Sequence, residues 1–196
     1  MVEIVDLREC EKSGLCYSGR AGQKEGIPTR ALRGEYLPPY ASSPVSEYLG
    51  AHIYASLGIP AHETRLGYRA GKIVCACKDF THPDKRLFEF KEIKNALSDD
   101  GAGFSFAPSD GESVYLGDVL AAIETSELLR SVPGVRERFW DMFVVDAFIK
   151  NPDRNNGNWG LLMGPGRSYA LAPVYDLGSS LFSKRSPSLA ESRLEG

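Results

Sequence analysis

Two side chains with a spacing suited to phosphoryl transfer lie in one polar loop. Asp153 and Asn158 are five residues apart in the segment NPDRNNGNWG. The carboxylate could accept the proton of a substrate hydroxyl, and the amide could hold a magnesium ion. A second carboxylate, Asp176, follows a strand-rich segment and could hold magnesium beside the phosphates. The pattern D-x-x-x-x-N by itself is mostly found in ordinary loops, because Asp, Asn and Gly are common turn residues.

The segments on either side can hold this loop in place. Residues 135–150 are apolar around nearly the whole circumference of a helix, which predicts a buried helix. Pro152 ends that helix, because the residue before a proline is displaced from the α region. Residues 158–163 and 168–174 are predicted as two strands joined by a turn. Such a hairpin would return Asp176 to the loop.

The loop and the later segment YALAPVYDLGSSL together resemble the HipA-like protein kinases, and within them the shorter CtkA-type branch. The resemblance implies that Asp153 is the catalytic base and that Asn158 and Asp176 are the magnesium ligands. It also implies that the nucleotide is lined by the following residues: Asn155, Asn156, Gly157, Asn158, Tyr175 and Asp176.

A glycine-rich stretch, SGLCYSGRAGQKEGI, occupies residues 13–27. Glycines let backbone amides approach a phosphate, and Arg20 and Lys24 add positive charge. A flexible turn is the alternative reading of the same composition. The stretch resembles the G-x-A-G-x-K loop of the HipA-like kinases, which implies that it covers the ATP phosphates. The residues implied are Gly19, Arg20, Ala21, Gly22, Gln23 and Lys24.

One lysine that the resemblance predicts is missing. No lysine occurs between Glu25 and Lys72, where a strand lysine would contact the phosphates. Either that strand is absent, or Lys24, Arg30 or Arg33 replaces the lysine. Arginine is a poor replacement because its planar fork differs from a compact ammonium, and losing one such charge costs about 10²–10³ in kcat. A catalytically impaired kinase-like protein that binds a nucleotide or partner is therefore the alternative function.

Residues 43–57 are predicted to form a helix capped by Ser43 and ended by Gly58. By resemblance this is the helix whose glutamate pairs with the missing lysine, and that glutamate would be Glu47. Glu47 lies opposite the apolar stripe, so a solvated side chain is the competing expectation. The predicted packing stripe is Val45, Tyr48, Leu49, His52, Ile53 and Ser56.

Two further strands are predicted at residues 63–68 and 72–78, and the second runs into Lys78, Asp79 and Phe80. The resemblance implies that the backbone of these three residues is the linker between lobes and hydrogen-bonds to adenine. Cys75 and Cys77 point the same way on that strand. Their spacing offers no second pair or nearby histidine for a metal, so buried, unbridged thiols are predicted. His52 and His62 are expected to be structural.

Composition sets broader limits. The chain has 196 residues, 42% hydrophobic and 25% charged, as in a globular protein of one large domain or two small lobes. A net charge of −3 argues against a general nucleic-acid binder. The sequence shows no signal peptide and no long apolar run, so a cytoplasmic protein without a membrane partner is expected.

The expected architecture is an α+β, protein-kinase-like two-lobed fold with a truncated helical C-lobe. Residues 1–80 would form the N-lobe, and residues 81–196 the truncated C-lobe with the catalytic loop. Residues 116–129 are predicted as one helix, 82–94 as partly helical, 99–110 as a loop, and the segment after Leu181 as disordered.

The resemblance implies an ATP-dependent serine/threonine protein kinase that uses ATP and Mg²⁺. Its partner would be a protein substrate with a serine or threonine hydroxyl. An antitoxin-like partner is the second partner that the resemblance leaves open.

Overall fold

The computed structural model describes residues 5–6, 27–28, 43–69, 72–81, 84–99 and 114–183. The glycine-rich residues 19–24, Arg30 and Arg33, the predicted loop at 100–110 and the tail beyond residue 183 lie outside these ranges. The elements within the described ranges are β1 (Val5–Asp6), β2 (Ile27–Pro28), α1 (Ser43–Ser56), β3 (Thr64–Arg69), β4 (Lys72–Cys77), β5 (Arg86–Glu89), α2 (Phe90–Asp99), α3 (Leu116–Thr125), α4 (Glu127–Ser131), α5 (Val135–Phe148), β6 (Gly160–Met163), a 3₁₀ turn (Pro165–Arg167) and β7 (Tyr169–Leu171).

The first sheet has the strand order β1-β3-β4-β2. Strands β3 and β4 form an antiparallel hairpin in which Thr64 lies opposite Cys77 and Leu66 lies opposite Cys75. This confirms the two strands predicted around residue 70. Strand β1 pairs with β3 in parallel, and β2 pairs with β4 in an antiparallel sense. Helix α1 packs against this hairpin, where Val45 and Tyr48 cover the buried side chains of Leu66 and Ile73.

The second sheet is antiparallel with the order β5-β6-β7. The hairpin β6–β7 confirms the predicted strand pair behind the polar loop. Strand β5 lies in a segment for which only helix was predicted. Its partner strand approaches closely at Gly160, where an added Cβ would lie 2.0 Å from the carbonyl oxygen of Phe88. A glycine is therefore required directly after Trp159 for the two strands to pair.

Helix α1 has the predicted bounds but buries a different face. Its buried residues are Ser43, Pro44, Ser46, Glu47, Gly50, Ala51 and Tyr54. Of the predicted packing stripe, Leu49, His52 and Ser56 are exposed. The prediction is wrong for these three residues, whereas Val45, Tyr48 and Ile53 pack against buried core residues. The most buried face carries small and polar residues that pack through hydrogen bonds, which apolar periodicity cannot detect. The expectation of a solvated Glu47 is wrong as well, since only 4% of it is exposed.

Helix α5 is buried on one face only, so the predicted all-round burial is wrong. Phe143, Val144 and Phe148 are 51%, 64% and 79% exposed. An apolar sequence shows which side chains a helix could bury, but it does not show on which side of the helix the neighbouring elements lie. The opposite face, which includes Val135, Phe139, Met142 and Val145, enters the core.

The main core lies between α1, α2, α5 and the second sheet. Phe90 stacks on Trp159 with a centroid distance of 4.3 Å, and both are part of the buried cluster. The predicted helix at 116–129 is broken into α3 and α4. Ser126 causes the break, because its extended backbone ends α3 and its hydroxyl accepts a hydrogen bond from the Leu129 N–H to cap α4. Within the described residues, no helix is long and apolar enough to cross a membrane.

Candidate active site

The polar loop after α5 is built from consecutive turns. The Asp153 carbonyl accepts a hydrogen bond from the Asn155 N–H at 2.8 Å, and the Asn155 side-chain oxygen accepts one from the Gly157 N–H at 2.8 Å. The Asn158 N–H closes the next turn on the Asn155 carbonyl at 3.0 Å. These are the local side-chain and backbone bonds for which Asn and Asp are favoured in turns. Asn155 therefore shapes the loop itself.

The side chain of Asn158 is fixed by the backbone of Asp153. Its Nδ2 donates to the Asp153 carbonyl at 2.6 Å, and Asn158 is 8% exposed. With the amide nitrogen engaged there, the amide oxygen is the atom that can face a cation. The Asp153 carboxylate accepts a hydrogen bond from the Ser179 hydroxyl at 3.2 Å. Asp153 is thus oriented both by its own loop and by the segment that follows Asp176.

A buried ion pair anchors the loop to α5. The Arg154 Nε lies 2.7 Å from the Asp146 Oδ2, and the two side chains are 12% and 6% exposed. Asp146 also accepts hydrogen bonds from the Tyr54 hydroxyl at 2.9 Å and from the Asn151 amide at 3.1 Å. A buried carboxylate needs this number of donors to offset the loss of water.

Electrostatics favour the charged form of Arg154. Burial alone would lower the pKa of Arg154, but the Asp146 carboxylate, together with Tyr54 and Asp176, outweighs burial and raises that pKa above its ordinary value. Burial, and then the Asp146 charge, raise the pKa of Tyr54. Tyr54 therefore stays a neutral hydrogen-bond donor from α1.

The same guanidinium joins the loop to the segment that carries Asp176. Arg154 Nη1 donates to the carbonyl oxygens of Asn158 and Tyr175, the latter at 2.8 Å. The Tyr175 hydroxyl returns a hydrogen bond to the Gly157 carbonyl at 3.0 Å. One bond runs from the loop to the later segment, from Arg154 to Tyr175, and the hydroxyls of Tyr175 and Ser179 each donate one back to the loop. Asp176, which follows Tyr175, is therefore held beside the loop that carries Asp153 and Asn158.

Asp176 itself adopts an unusual backbone conformation. Its φ is +57°, a left-handed value that is uncommon for a residue with a side chain. Such conformations persist where the surroundings impose them, often at functional sites. On one side, Val174 forms a parallel bridge with Ala61. On the other, the Leu177 N–H donates to the Glu47 Oε1 at 2.9 Å.

Helix α1 holds the residues that follow Asp176. The Ser43 hydroxyl donates to the Gly178 carbonyl at 2.9 Å, and the Ser180 hydroxyl donates to the Ser46 carbonyl at 3.3 Å. The helix approaches closely at Gly50, where an added Cβ would lie 2.8 Å from the Leu177 Cβ. Ser43 therefore contacts the site instead of capping its own helix as predicted.

The predicted linker, residues 78–80, lies near the segment that carries Tyr175 and Asp176. Phe80 packs on Tyr175 with a centroid distance of 5.6 Å. The Lys78 N–H is engaged by the Glu63 carbonyl at 2.9 Å, and the Lys78 side chain pairs with Glu63 on the surface. Asp79 accepts two hydrogen bonds from Thr81, from its N–H and its hydroxyl. An adenine could therefore be bound here only through other backbone groups of the linker.

An open cavity of about 370 Å³ lies beside the catalytic loop. It is lined by Val114, Pro152, Asp153, Arg154 and Asn155. A substrate hydroxyl could reach the Asp153 carboxylate from this side.

The structure brings together most of the residues predicted for the site. Asp153, Asn158 and Tyr175 share one hydrogen-bonded assembly, and Asp176 directly follows Tyr175. Residues 19–24 lie outside the described residues. Asn156 is 1% exposed, and its carbonyl accepts a hydrogen bond from the Lys91 N–H of α2. It therefore holds the loop against α2.

The supporting residues were not predicted from the sequence: Tyr54, Asp146, Asn151, Arg154 and Ser179. Asp146 could have been found, since a charged residue on a helix predicted to be buried must have a buried partner.

Comparison with known proteins decides the family. Residues 31–195 match the HipA-like C-terminal domain. The chain belongs to the HipA-like C-terminal domain family. A curated relative, the serine/threonine-protein kinase CtkA of Helicobacter pylori (strain J99 / ATCC 700824), is 40% identical over 145 residues, which are 73% of this chain and 42% of that protein.

Comparison with a solved structure agrees with this family assignment. The crystal structure of the Helicobacter pylori proinflammatory kinase CtkA superimposes with a TM-score of 0.77 at 31% identity. The match covers 99% of this chain and 65% of the solved chain. The α+β, kinase-like fold predicted by resemblance is therefore confirmed, and the chain spans less than two thirds of either relative.

Proposed function

We propose that this chain is an ATP-dependent serine/threonine protein kinase in which Asp153 is the catalytic base. The observation that carries the proposal is the hydrogen-bonded assembly that joins the loop at 153–158 to the segment at 175–179. Three bonds across these segments support it: Arg154 to the Tyr175 carbonyl, Tyr175 to the Gly157 carbonyl, and Ser179 to the Asp153 carboxylate. Phosphoryl transfer depends mainly on positioning and charge, so a rigid set of few side chains is sufficient.

The donor set suits a magnesium ion. Asn158 can present only its amide oxygen, since its nitrogen is bound to the Asp153 carbonyl, and Asp176 adds a half-buried carboxylate. Oxygen ligands of this kind are those that magnesium prefers, with phosphate oxygens and water completing its shell. Asn158 and Asp176 would hold the ion, which would neutralise charge on the ATP phosphates.

Asp153 has the position required of the base. Its carboxylate borders the open cavity, and one of its oxygens is fixed by Ser179. The other oxygen can accept a hydrogen bond from a substrate serine or threonine hydroxyl and take its proton as the hydroxyl attacks the γ-phosphorus. Arg154 positions this carboxylate indirectly, through the loop, because its guanidinium pairs with Asp146.

The nucleotide would extend from this metal site toward the linker. Tyr175 connects the linker to the polar loop, since its ring packs on Phe80 and its hydroxyl donates to the Gly157 carbonyl. Adenine would lie against the linker at residues 78–80, and the loop at 19–24 would cover the phosphates. The division into an N-lobe at 1–80 and a C-lobe at 81–196 belongs to the same proposal.

A second candidate is a kinase-like protein that binds nucleotide without transferring phosphate. The absence of lysine between Glu25 and Lys72 favours it, because one phosphate-binding charge of the family is not in its usual place. The two candidates share the metal site and differ in whether Asp153 transfers a proton.

Thermal-shift titration with ATP tests the shared nucleotide site. With Mg²⁺ present, we expect ATP to raise the Tm of the wild-type chain and of Asp141→Ala, an exposed aspartate on α5 that serves as the control. Asp176→Ala should lose the magnesium-dependent part of the rise. A rise that is independent of Mg²⁺, or that Asp176→Ala retains, would contradict the proposed metal site.

A further inference from the structure

Three side chains of metal-binding type meet beneath the first sheet, away from Asp153. Glu47, His62 and Cys77 each bring one ligand atom within 4.8 Å of the other two. Glu47 Oε1 lies 3.0 Å from His62 Nε2. Glu47 and His62 are 4% and 5% exposed, and Cys77 is half-buried. The sequence-based expectation that no histidine lies near the cysteines is therefore wrong.

Each member of this cluster is placed by a regular element. Glu47 lies on α1, Cys77 ends β4, and His62 lies two residues before the start of β3. The β3–β4 register sets Thr64 opposite Cys77, so His62, two residues before Thr64, lies on the same face of the hairpin. The backbone at His62 is fixed further by its N–H bond to the Val174 carbonyl at 2.9 Å.

Two buried side chains at this cluster make no well-aligned hydrogen bond within the described residues. Neither ring nitrogen of His62 makes one, although the side chain is buried. The buried hydroxyl of Thr64, the residue opposite Cys77, has no hydrogen-bond partner in the same ranges either. Buried polar groups are almost always satisfied, so these two exceptions point to a ligand that would satisfy them.

We propose that Glu47, His62 and Cys77 form a binding site for a zinc-type divalent cation. A thiolate, an imidazole and a carboxylate are the three ligand types that zinc accepts. Tetrahedral zinc sets neighbouring ligand atoms roughly 3.3–3.8 Å apart, given bonds of about 2.0–2.3 Å. The cluster spans 3.0–4.8 Å, so small side-chain movements would complete it.

Cys75 is the nearest candidate for a fourth ligand. It lies two residues before Cys77 on β4, so both side chains face the same side of the strand. If Cys75 does not move, a water molecule would take the fourth position.

The site would connect distant parts of the fold. Glu47 already accepts the Leu177 N–H, and Cys77 directly precedes the linker at residues 78–80. A bound ion would therefore fix α1, the linker strand and the residue after Asp176 to one another. This role is separate from the magnesium ligands Asn158 and Asp176.

Calorimetric titration of the metal-free chain with Zn²⁺ tests the proposal. We expect one zinc ion per chain in the wild type, and at least about 100-fold weaker binding in Cys77→Ser and His62→Gln, since even supporting residues of metal sites contribute 10–100-fold. His52→Gln and Glu63→Gln are matched controls on exposed neighbours and should bind as the wild type does. Asp176→Asn should also retain zinc, which separates this site from the magnesium site.

A second measurement uses only the wild-type chain and so does not depend on the variants folding. X-ray absorption at the zinc edge should show at least one sulfur ligand together with nitrogen or oxygen ligands. No zinc binding by the wild type would overturn the proposal. Binding without a sulfur ligand, or binding that Cys77→Ser retains in full, would overturn it too.

Discussion

Arg154 donates to the buried carboxylate of Asp146 at 2.7 Å, and this pair joins the polar loop at 153–158 to α5. Nη1 of the same guanidinium donates to the carbonyls of Asn158 and Tyr175, and Nη2 donates to the Asp146 Oδ1 at 3.4 Å. One side chain therefore contacts the helix, the loop and the segment that carries Asp176. Each of its three nitrogens donates to at least one of these segments, so the role of Arg154 is structural.

Arg154→Ala should destabilise the chain by about 3–5 kcal/mol, because it leaves the Asp146 carboxylate buried without its partner. Arg154→Lys should restore little of this, since an ammonium cannot span the three acceptors of a planar fork. Urea denaturation measures both effects.

The matched control for this loss is Arg136→Ala. Arg136 pairs with Glu124 on the surface, and both side chains are more than half exposed. Its removal should change the free energy of unfolding by less than about 1 kcal/mol. Equal effects of the two alanine variants would show that the Arg154–Asp146 pair does not anchor the loop.

Gly50→Ala should weaken both the fold and the nucleotide site. An alanine Cβ would approach the Leu177 Cβ to 2.8 Å, so α1 or the residue after Asp176 must shift. We expect a loss of about 1–3 kcal/mol, as for other overpacked cores, and a smaller magnesium-dependent Tm rise with ATP.

Gly117→Ala is the control for that substitution. Nothing lies within 4 Å of the position of its Cβ on α3, so the helix should gain up to about 1 kcal/mol from the better helix former. If Gly50→Ala is as stable as Gly117→Ala and binds nucleotide normally, the close packing of α1 on Leu177 is not required.

Ser179→Ala should lower kcat without changing ATP binding. The hydroxyl of Ser179 donates to the Asp153 carboxylate at 3.2 Å, and a hydrogen bond of this kind contributes about 1 kcal/mol, or up to about tenfold in rate. Steady-state kinetics with varied ATP separates the two effects. Ser131→Ala, which removes an exposed hydroxyl bonded within its own helix, should match the wild type. A raised KM for ATP with unchanged kcat in Ser179→Ala would rule out this orienting role.

The missing lysine leads to a prediction about residues outside the described ranges. If transfer occurs, a positive charge must still contact the phosphates, and a lysine suits this role better than an arginine. Lys24→Ala should therefore lose about 10²–10³ in kcat, and Arg30→Ala and Arg33→Ala should lose much less. A larger loss in either arginine variant would reassign the role to that residue.

Local signals predicted the elements of the site, but not the contacts that hold it. The end of α1 and the hairpin after the loop follow from Gly58 and the turn around Gly164. The buried face of α1 could not be predicted, because Ser43, Glu47 and Gly50 are buried by hydrogen bonds and close packing with residues far away in the sequence, namely Gly178 and Leu177.

Residue type alone also could not show which contacts a predicted site residue makes in the folded protein. Glu47 was expected either to pair with a lysine or to face solvent, and it instead binds a backbone N–H and lies against His62. The cluster with Cys77 forms only when β3, β4 and α1 come together, so sequence spacing gives no sign of it. Strand β5 was missed because it is four residues long and runs directly into α2.

Phosphoryl transfer by the wild-type chain and by Asp153→Asn tests the central claim most directly. Both proteins are incubated with Mg²⁺ and γ-labelled ATP, and labelled serine and threonine are measured alongside ATP affinity. The account predicts label with the wild type, none with Asp153→Asn, and similar ATP affinity for both. Equal labelling by the two proteins, or a wild-type chain that binds ATP and transfers nothing, would contradict the assignment of Asp153 as the base.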